Sequence, residues 1–407
     1  MPTSEPSALL ERYLSLGLRL DRHIEGLVDA YYGPPALKDR VAAEPVRPPE
    51  AIAEDARRLL ADLDAGEPID DQPPGTGDEP HRRRWLRAQV LGLRTTAEKL
   101  AGVDISFPDE VERCYGVRPE KVDESVFEAA HRALDEVLPG SGPLAERFIT
   151  WRESQAVPVE KLRPAIDSLA EDFRERTHRL FGLPDGEHID FELVTDEPWS
   201  GFNYYLGDLR SRVAINTDLP VLSTSLAHLV AHESYPGHHT EHSRKEVGLV
   251  RRQQRLEETI FVVGAPQCLL AEGLADLGLE VICGERPEPV AADHLRPLGI
   301  PYDAEVAAKV AVAGEALNEV RGNLALLLHD EGVAPDDAVA YAERWGLIPR
   351  VRAEKAVQFQ TDPTWRAYIF CYLEGLRLCR SFTAGDPSNF ERLLTEQLLP
   401  SDLQPAA

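Results

Sequence analysis

Apolar positions recur every three or four residues through most of the chain, the period of helices that bury one face. Over residues 6–30 the stripe is Leu9, Leu10, Tyr13, Leu14, Leu16, Leu20, Ile24 and Leu27. It predicts one helix running up to Tyr31-Tyr-Gly-Pro-Pro35, where glycine and proline stop it. Further helices are predicted from Pro48 or Pro49 through Leu63, and over 81–102, 123–138, 143–155 and 158–181, with breaks such as Leu138-Pro-Gly-Ser-Gly-Pro143 between them. The polar, proline- and glycine-rich stretch from Gly66 to Pro80 reads as a surface loop.

The texture changes near residue 188. His188-Ile-Asp-Phe-Glu-Leu-Val-Thr195 alternates polar and apolar, as does Arg210 to Asn216 with Val213 and Ile215 on one side. That is the period of strands. A histidine-bearing helix follows with Ser223 as its predicted cap. Then come a helix from about 264 to Ile282, a long buried Ala-, Val- and Leu-rich helix over 302–331, one opening at Pro335, and two last helices over 363–383 and 387–398. The fold class is therefore mainly α with a small β-sheet (α+β). One body of 407 residues is expected, with a helical part over 1–180 and a part over 181–407 that holds the sheet and the C-terminal helices.

An apolar fraction of 43% is ample for a large core. The net charge of -26, with acidic residues spread along the chain, argues against nucleic acid and anionic membranes as partners. No apolar run approaches the ~20 residues of a membrane span. Met1-Pro-Thr-Ser-Glu-Pro6 lacks the basic and apolar regions of a secretion signal. Cys114, Cys268, Cys283, Cys371 and Cys379 are dispersed, without Cys-x-x-Cys spacing, and read as reduced buried thiols. A cytoplasmic protein is expected; the oligomeric state is left open.

Chemistry concentrates between Ala227 and His242. His228, His232, His238, His239 and His242 are five of the chain's twelve histidines, with Glu233 and Glu241 among them. Imidazole and carboxylate together suit zinc, and His-Glu on a helix pairs a ligand with a general base. The position four after His232, where a second ligand would share the helix face, is Pro236. Proline there removes an N–H and clashes with the preceding turn, while Gly237 lets the chain turn sharply. These residues predict a helix carrying His232 and Glu233, a bulge at Tyr235-Pro236, and a resumed helix presenting His238. Spacing alone leaves His239 as an alternative ligand. His238-His-Thr-Glu-His242 also matches the inverted zinc motif, and His228 stands four before His232.

His232-Glu-Ser-Tyr-Pro-Gly-His-His239 resembles the signature of the bacterial family called domain of unknown function 885, grouped with zinc-dependent peptidases. Trp199–Gly207, Arg210–Pro220, Ala271-Glu-Gly-Leu-Ala-Asp276 and Trp365–Gly375 are similar as well, and together the matching stretches span about half the chain. The chain departs from the pattern at Leu274, where tryptophan is usual, and at Thr240-Glu241, where Leu-Gln is usual; it is also shorter than many members. The resemblance implies a zincin-like helical metallopeptidase architecture with a small sheet beside the cleft. It also implies Glu272 as third metal ligand, forty residues beyond His232. Gly273 would permit close helix approach there, and Asp276 would support the ligands. Glu280 is a reserve ligand.

On this reading zinc activates a water, Glu233 acts as general base, and a short peptide or small amide is cleaved. Tyr368, Tyr372, Tyr205 and His239 are candidates for substrate contact or oxyanion stabilisation. The competing reading is a non-catalytic descendant that binds a metal or ligand. His329 reads as structural, and Ser234 lacks the Gly-x-Ser-x-Gly context of a serine hydrolase.

Overall fold

The computed structural model describes residues 6–69, 79–197, 199–362 and 365–404. Most of the Gly66–Pro80 stretch and of the Met1–Pro6 segment lies outside them. The architecture is α+β and mainly helical, with two small sheets. In the first half the helices fall at Pro49–Ala65, Glu79–Leu100, Glu124–Val137, Leu144–Ser154 and Val159–Phe181, where the apolar period places them. The short helices Pro35–Ala43 and Glu288–Leu295, and Arg350–Thr361 with its weakly amphipathic sequence, carried too little periodic signal to be predicted; Phe107–Tyr115, amphipathic but only nine residues long, was not predicted either.

The first helix corrects the sequence reading. It ends at Asp21, and the chain then forms β1 (Val28–Tyr31) instead of continuing helically to residue 30. Gly26 adopts the left-handed conformation (φ 81°) that turns the chain, and the Asp21 carboxylate accepts the Val28 N–H at 2.9 Å. Leu27, counted into the helical stripe, is buried beyond the helix's end.

Strands β2 (His188–Val194), β3 (Gly201–Gly207) and β4 (Arg210–Asn216) form a sheet of order β2-β4-β3, β2 parallel and β3 antiparallel to β4. β5 (Ile260–Val262) pairs antiparallel with β1 in a separate ribbon. The two lie close, because β1 packs on β3.

Two other expectations fail. The predicted helix over 302–331 is Ala304–Gly314, a tight turn at Glu315–Glu319, and Val320–His329. Its first part is buried along one side only, through Ala307, Ala308 and Val310, while Val312 is 78% exposed. Ser223 is not a cap: Leu222 holds that position, and the Ser223 hydroxyl donates to Gln155 at 3.3 Å.

One continuous hydrophobic core contains side chains from Leu9 to Leu403. At its centre runs the helix Pro266–Cys283, buried on nearly every side. It crosses Ile369–Thr383 so closely that a Cβ on Gly273 would lie 2.2 Å from the carbonyl oxygen of Gly375.

Candidate metal centre

His232 and Glu233 are the last two residues of the helix Ser223–Glu233. Pro236 has no N–H to continue it. Gly237 folds so tightly beneath it that a Cβ would lie 1.9 Å from the carbonyl oxygen of His232, which only glycine allows. The Tyr235–Pro236 peptide bond is cis. A second helix, His238–Lys245, begins immediately after. This break brings together two imidazoles that six residues of regular helix would hold apart: Nε2 of His232 and Nε2 of His238 are 3.1 Å apart, the rings perpendicular.

Glu272 reaches the pair from the central helix. Its Oε2 lies 3.3 Å from His232 Nε2, and its Oε1 lies 3.4 Å from His238 Nε2. The Tyr368 hydroxyl donates to Oε1 at 2.6 Å. Oε2 is buried with no hydrogen-bond partner. Gly278, further along the same helix, keeps it seated on the Pro236-Gly237 break, since a Cβ there would meet Pro236 at 3.0 Å.

Asp276, one turn beyond Glu272, lies 2.8 Å from Nδ1 of His232. That carboxylate holds the proton on Nδ1 and turns the lone pair of Nε2 toward His238 and Glu272. Burial disfavours charge on His232, but the neighbouring carboxylates of Asp276 and Glu272 outweigh it and raise its pKa well above the usual value. Burial likewise opposes charge on His238, and Glu272 overcomes it. Glu272 would be pushed up by burial, yet His238 and His232 hold its carboxyl at about 2. The cluster is built to hold positive charge.

The cluster also fits a metal ion by distance. Bonds of about 2.0–2.1 Å at tetrahedral angles put ligand atoms about 3.3–3.4 Å apart. Here the two Nε2 atoms are 3.1 Å apart, Oε2 of Glu272 lies 3.3 Å from that of His232 and Oε1 3.4 Å from that of His238, and one ligand atom from each of the three side chains lies within 4.8 Å of the others. Among the described residues His228, His232 and Asp276 form a second set of three within reach of one ion. That set would need Nδ1 of His232, already bonded to Asp276, and a His228 side chain that is 47% exposed.

Glu233 is buried beside this cluster. Burial raises its pKa, with His232 and His238 pulling the other way. The Asn203 side-chain amide donates to its backbone carbonyl at 2.6 Å. Gly201 lets β3 pass close, since a Cβ would come within 3.1 Å of Glu233 Oε1. The cleft in front encloses about 720 Å³, open solvent included. His232, Glu233, His238 and Glu272 line it, together with the aromatic side chains of Trp199, Phe202, Phe359 and Trp365.

The remaining candidates separate. Tyr368 and Tyr372 line the cleft. His239 does not: its ring, pointed away from its neighbour's by the helical turn, is fully buried against the sheet, between Ser211 at 2.8 Å and Glu187 at 3.0 Å. Tyr205 is turned away too, its hydroxyl donating to Glu246 at 2.5 Å. Glu241 is occupied by Lys245 at 2.7 Å, which leaves the inverted motif without its carboxylate in the cluster. Glu280 pairs with Arg380 at 3.1 Å, and His329 lies 2.6 Å from the carbonyl oxygen of Gln360. Asp29 and Asn203 also line the cleft and were not singled out from the sequence. Asp29 sat in a stretch read as helix, and Asn203 carries no signal beyond the aromatic segment around it.

No family model and no curated protein matches the chain. Two solved structures, each described as a "putative lipoprotein", resemble it. One, from Colwellia psychrerythraea, aligns with a TM-score of 0.50 and 13% identity over 87% of this chain and 68% of that one. The other, from Shewanella oneidensis and of unknown function, has a TM-score of 0.44 and 12% identity over 90% of this chain and 74% of that one. The first likeness is one of fold: mainly helical, with small sheets.

Proposed function

We propose that the protein is a metal-dependent hydrolase, with zinc at His232, His238 and Glu272, acting on a peptide or related amide bond. The observation that carries this reading is the convergence of two imidazole Nε2 atoms, 3.1 Å apart, with the Glu272 carboxylate, whose unpartnered Oε2 lies 3.3 Å from one and whose Oε1 lies 3.4 Å from the other, lining a cleft beside a buried glutamate. Three protein ligands leave one position open, as catalytic zinc sites do.

Zinc bound there would supply Lewis acidity and lower the pKa of a water toward 7. Glu233, adjacent in sequence to His232 and facing the cleft, takes the proton from the attacking water and returns it to the leaving nitrogen. Asn203 fixes the backbone that carries Glu233, and Asp276 fixes the imidazole of His232. Tyr368 is committed to Glu272, so Tyr372, beside it with ring centroids 5.3 Å apart, is the hydroxyl available to an oxyanion. The aromatic walls suit short, apolar segments.

A peptide-library screen of the zinc-loaded chain, repeated with Glu233→Gln, tests the reading. Hydrolysis should fall roughly 10²–10⁴-fold in the variant while zinc content stays at the wild-type level. A wild-type chain that holds zinc and cleaves nothing would favour the non-catalytic, ligand-binding reading.

A further inference from the structure

Asp29 occupies a place that pairing within the sheet does not explain. β1 and β5 pair Val28 with Val262 and Ala30 with Phe261, so the register slips by one residue and Asp29 is the extra one. A bulge of this kind re-aims a side chain, and bulges recur beside active sites. Here it turns Asp29 into the cleft that holds His232, Glu233, His238 and Glu272. Oδ1 of Asp29 is buried and accepts no hydrogen bond.

Asn203, on the neighbouring strand β3, presents a second orphan. Its NH₂ donates to the Glu233 carbonyl, which fixes the orientation of the amide. The other end, Oδ1, is buried without a partner, and Asn203 lines the same cleft. Buried acceptors without donors are rare in folded proteins. Two of them in one cleft, one anionic, together with the Glu233 carboxylate, call for a cationic ligand with several N–H groups. Asp29 belongs to neither set of metal-ligating residues.

We infer that the cleft takes a protonated amino group of the substrate, held by Asp29 and Asn203. Burial, reinforced by Glu272 and Glu233 against the pull of His238, raises the Asp29 carboxyl to about 7. An ammonium partner replaces the solvation that burial removed and restores the charged form. The surrounding Trp199, Phe202, Phe359 and Trp365 accept an apolar or aromatic side chain next to that group. The ammonium is a free α-amino end or a lysine-type side chain; both present the same chemistry to Asp29. This deepens the hydrolase reading above by naming the substrate class.

The test is calorimetric binding to the zinc-loaded full-length chain. The probes are L-phenylalaninol, which offers an α-amino group, N-acetyl-L-phenylalaninol, which is neutral, and N-acetyl-L-lysinol, which offers only a side-chain ammonium. At least one ammonium probe should bind tenfold or more tightly than the neutral one, and Asp29→Asn should abolish that preference. Which probe wins identifies the source. Equal binding of neutral and ammonium probes, no binding of either ammonium probe, or an unchanged preference in Asp29→Asn overturns the inference. Zinc uptake by Asp29→Asn should match wild type, which excludes a collapsed site. The wild-type comparison stands even if that variant folds poorly. Turnover is read separately: ammonium preference without hydrolysis keeps the amine site and removes the hydrolase reading, and the reverse outcome does the opposite.

Discussion

Gly273 and Gly375 meet backbone to backbone, so that a methyl group on the first would lie 2.2 Å from the carbonyl oxygen of the second. Gly273 is the residue after Glu272, and Gly375 lies on the helix that carries Tyr372 and begins just after Tyr368. The contact therefore sets the depth at which Glu272 faces the two histidines. It also sets the approach of Tyr368 to Glu272.

Gly273→Ala forces backbone apart, because neither side of the contact is a flexible side chain. We expect a loss of stability on the order of 3 kcal/mol, as for overpacked cores. Displacement of Glu272 should also lower zinc affinity. Chemical denaturation and a zinc titration check the two effects; a variant as stable as wild type would show that the helices separate freely.

Asp276→Asn keeps the shape at His232 but removes the charge that orients its ring. Zinc affinity should fall roughly 10–100-fold, the usual effect of losing such a partner. Competition with a chromogenic chelator measures it. Unchanged affinity would mean that His232 is oriented by packing alone.

Legibility in the sequence followed the strength of local rules. Glycine and proline punctuation marked most helix ends, and the clash of Pro236 with a regular helix foretold the break that brings His238 toward His232. Other features depended on distant pairing. Asp29 was hidden because Ile24 and Leu27 continue the helical spacing past Asp21, while only pairing with β5 makes 28–31 a strand. The bulge reading favoured His238 but left His239 open as an alternative. The difference arises from the sheet, where Ser211 and the buried Glu187 bind His239. Glu272 came from the family resemblance; no local pattern distinguishes it from a surface carboxylate.

Glu187 supplies a pH-dependent term. Burial would raise its carboxyl, but hydrogen bonds from His239, Tyr235 and Arg174 hold it at about 2. A depressed carboxyl stabilises the folded chain fully above the ordinary glutamate value of about 4.3 and loses that contribution as pH falls toward 2. Wild type should therefore exceed Glu187→Gln in melting temperature by a constant margin between pH 7 and 5. The margin should shrink between pH 4.5 and 2. A margin independent of pH over that lower range would contradict the assignment.

Metal content tests the central claim most directly, by elemental analysis of the untagged chain and of His238→Ala, His239→Ala and Glu272→Ala. One zinc per chain is expected in wild type, lost with His238 and Glu272. It should be retained in His239→Ala, where Glu187 keeps its hydrogen bonds from Tyr235 and Arg174. A wild-type chain that binds no metal even with added zinc would contradict the account, as would a chain that keeps its zinc without Glu272.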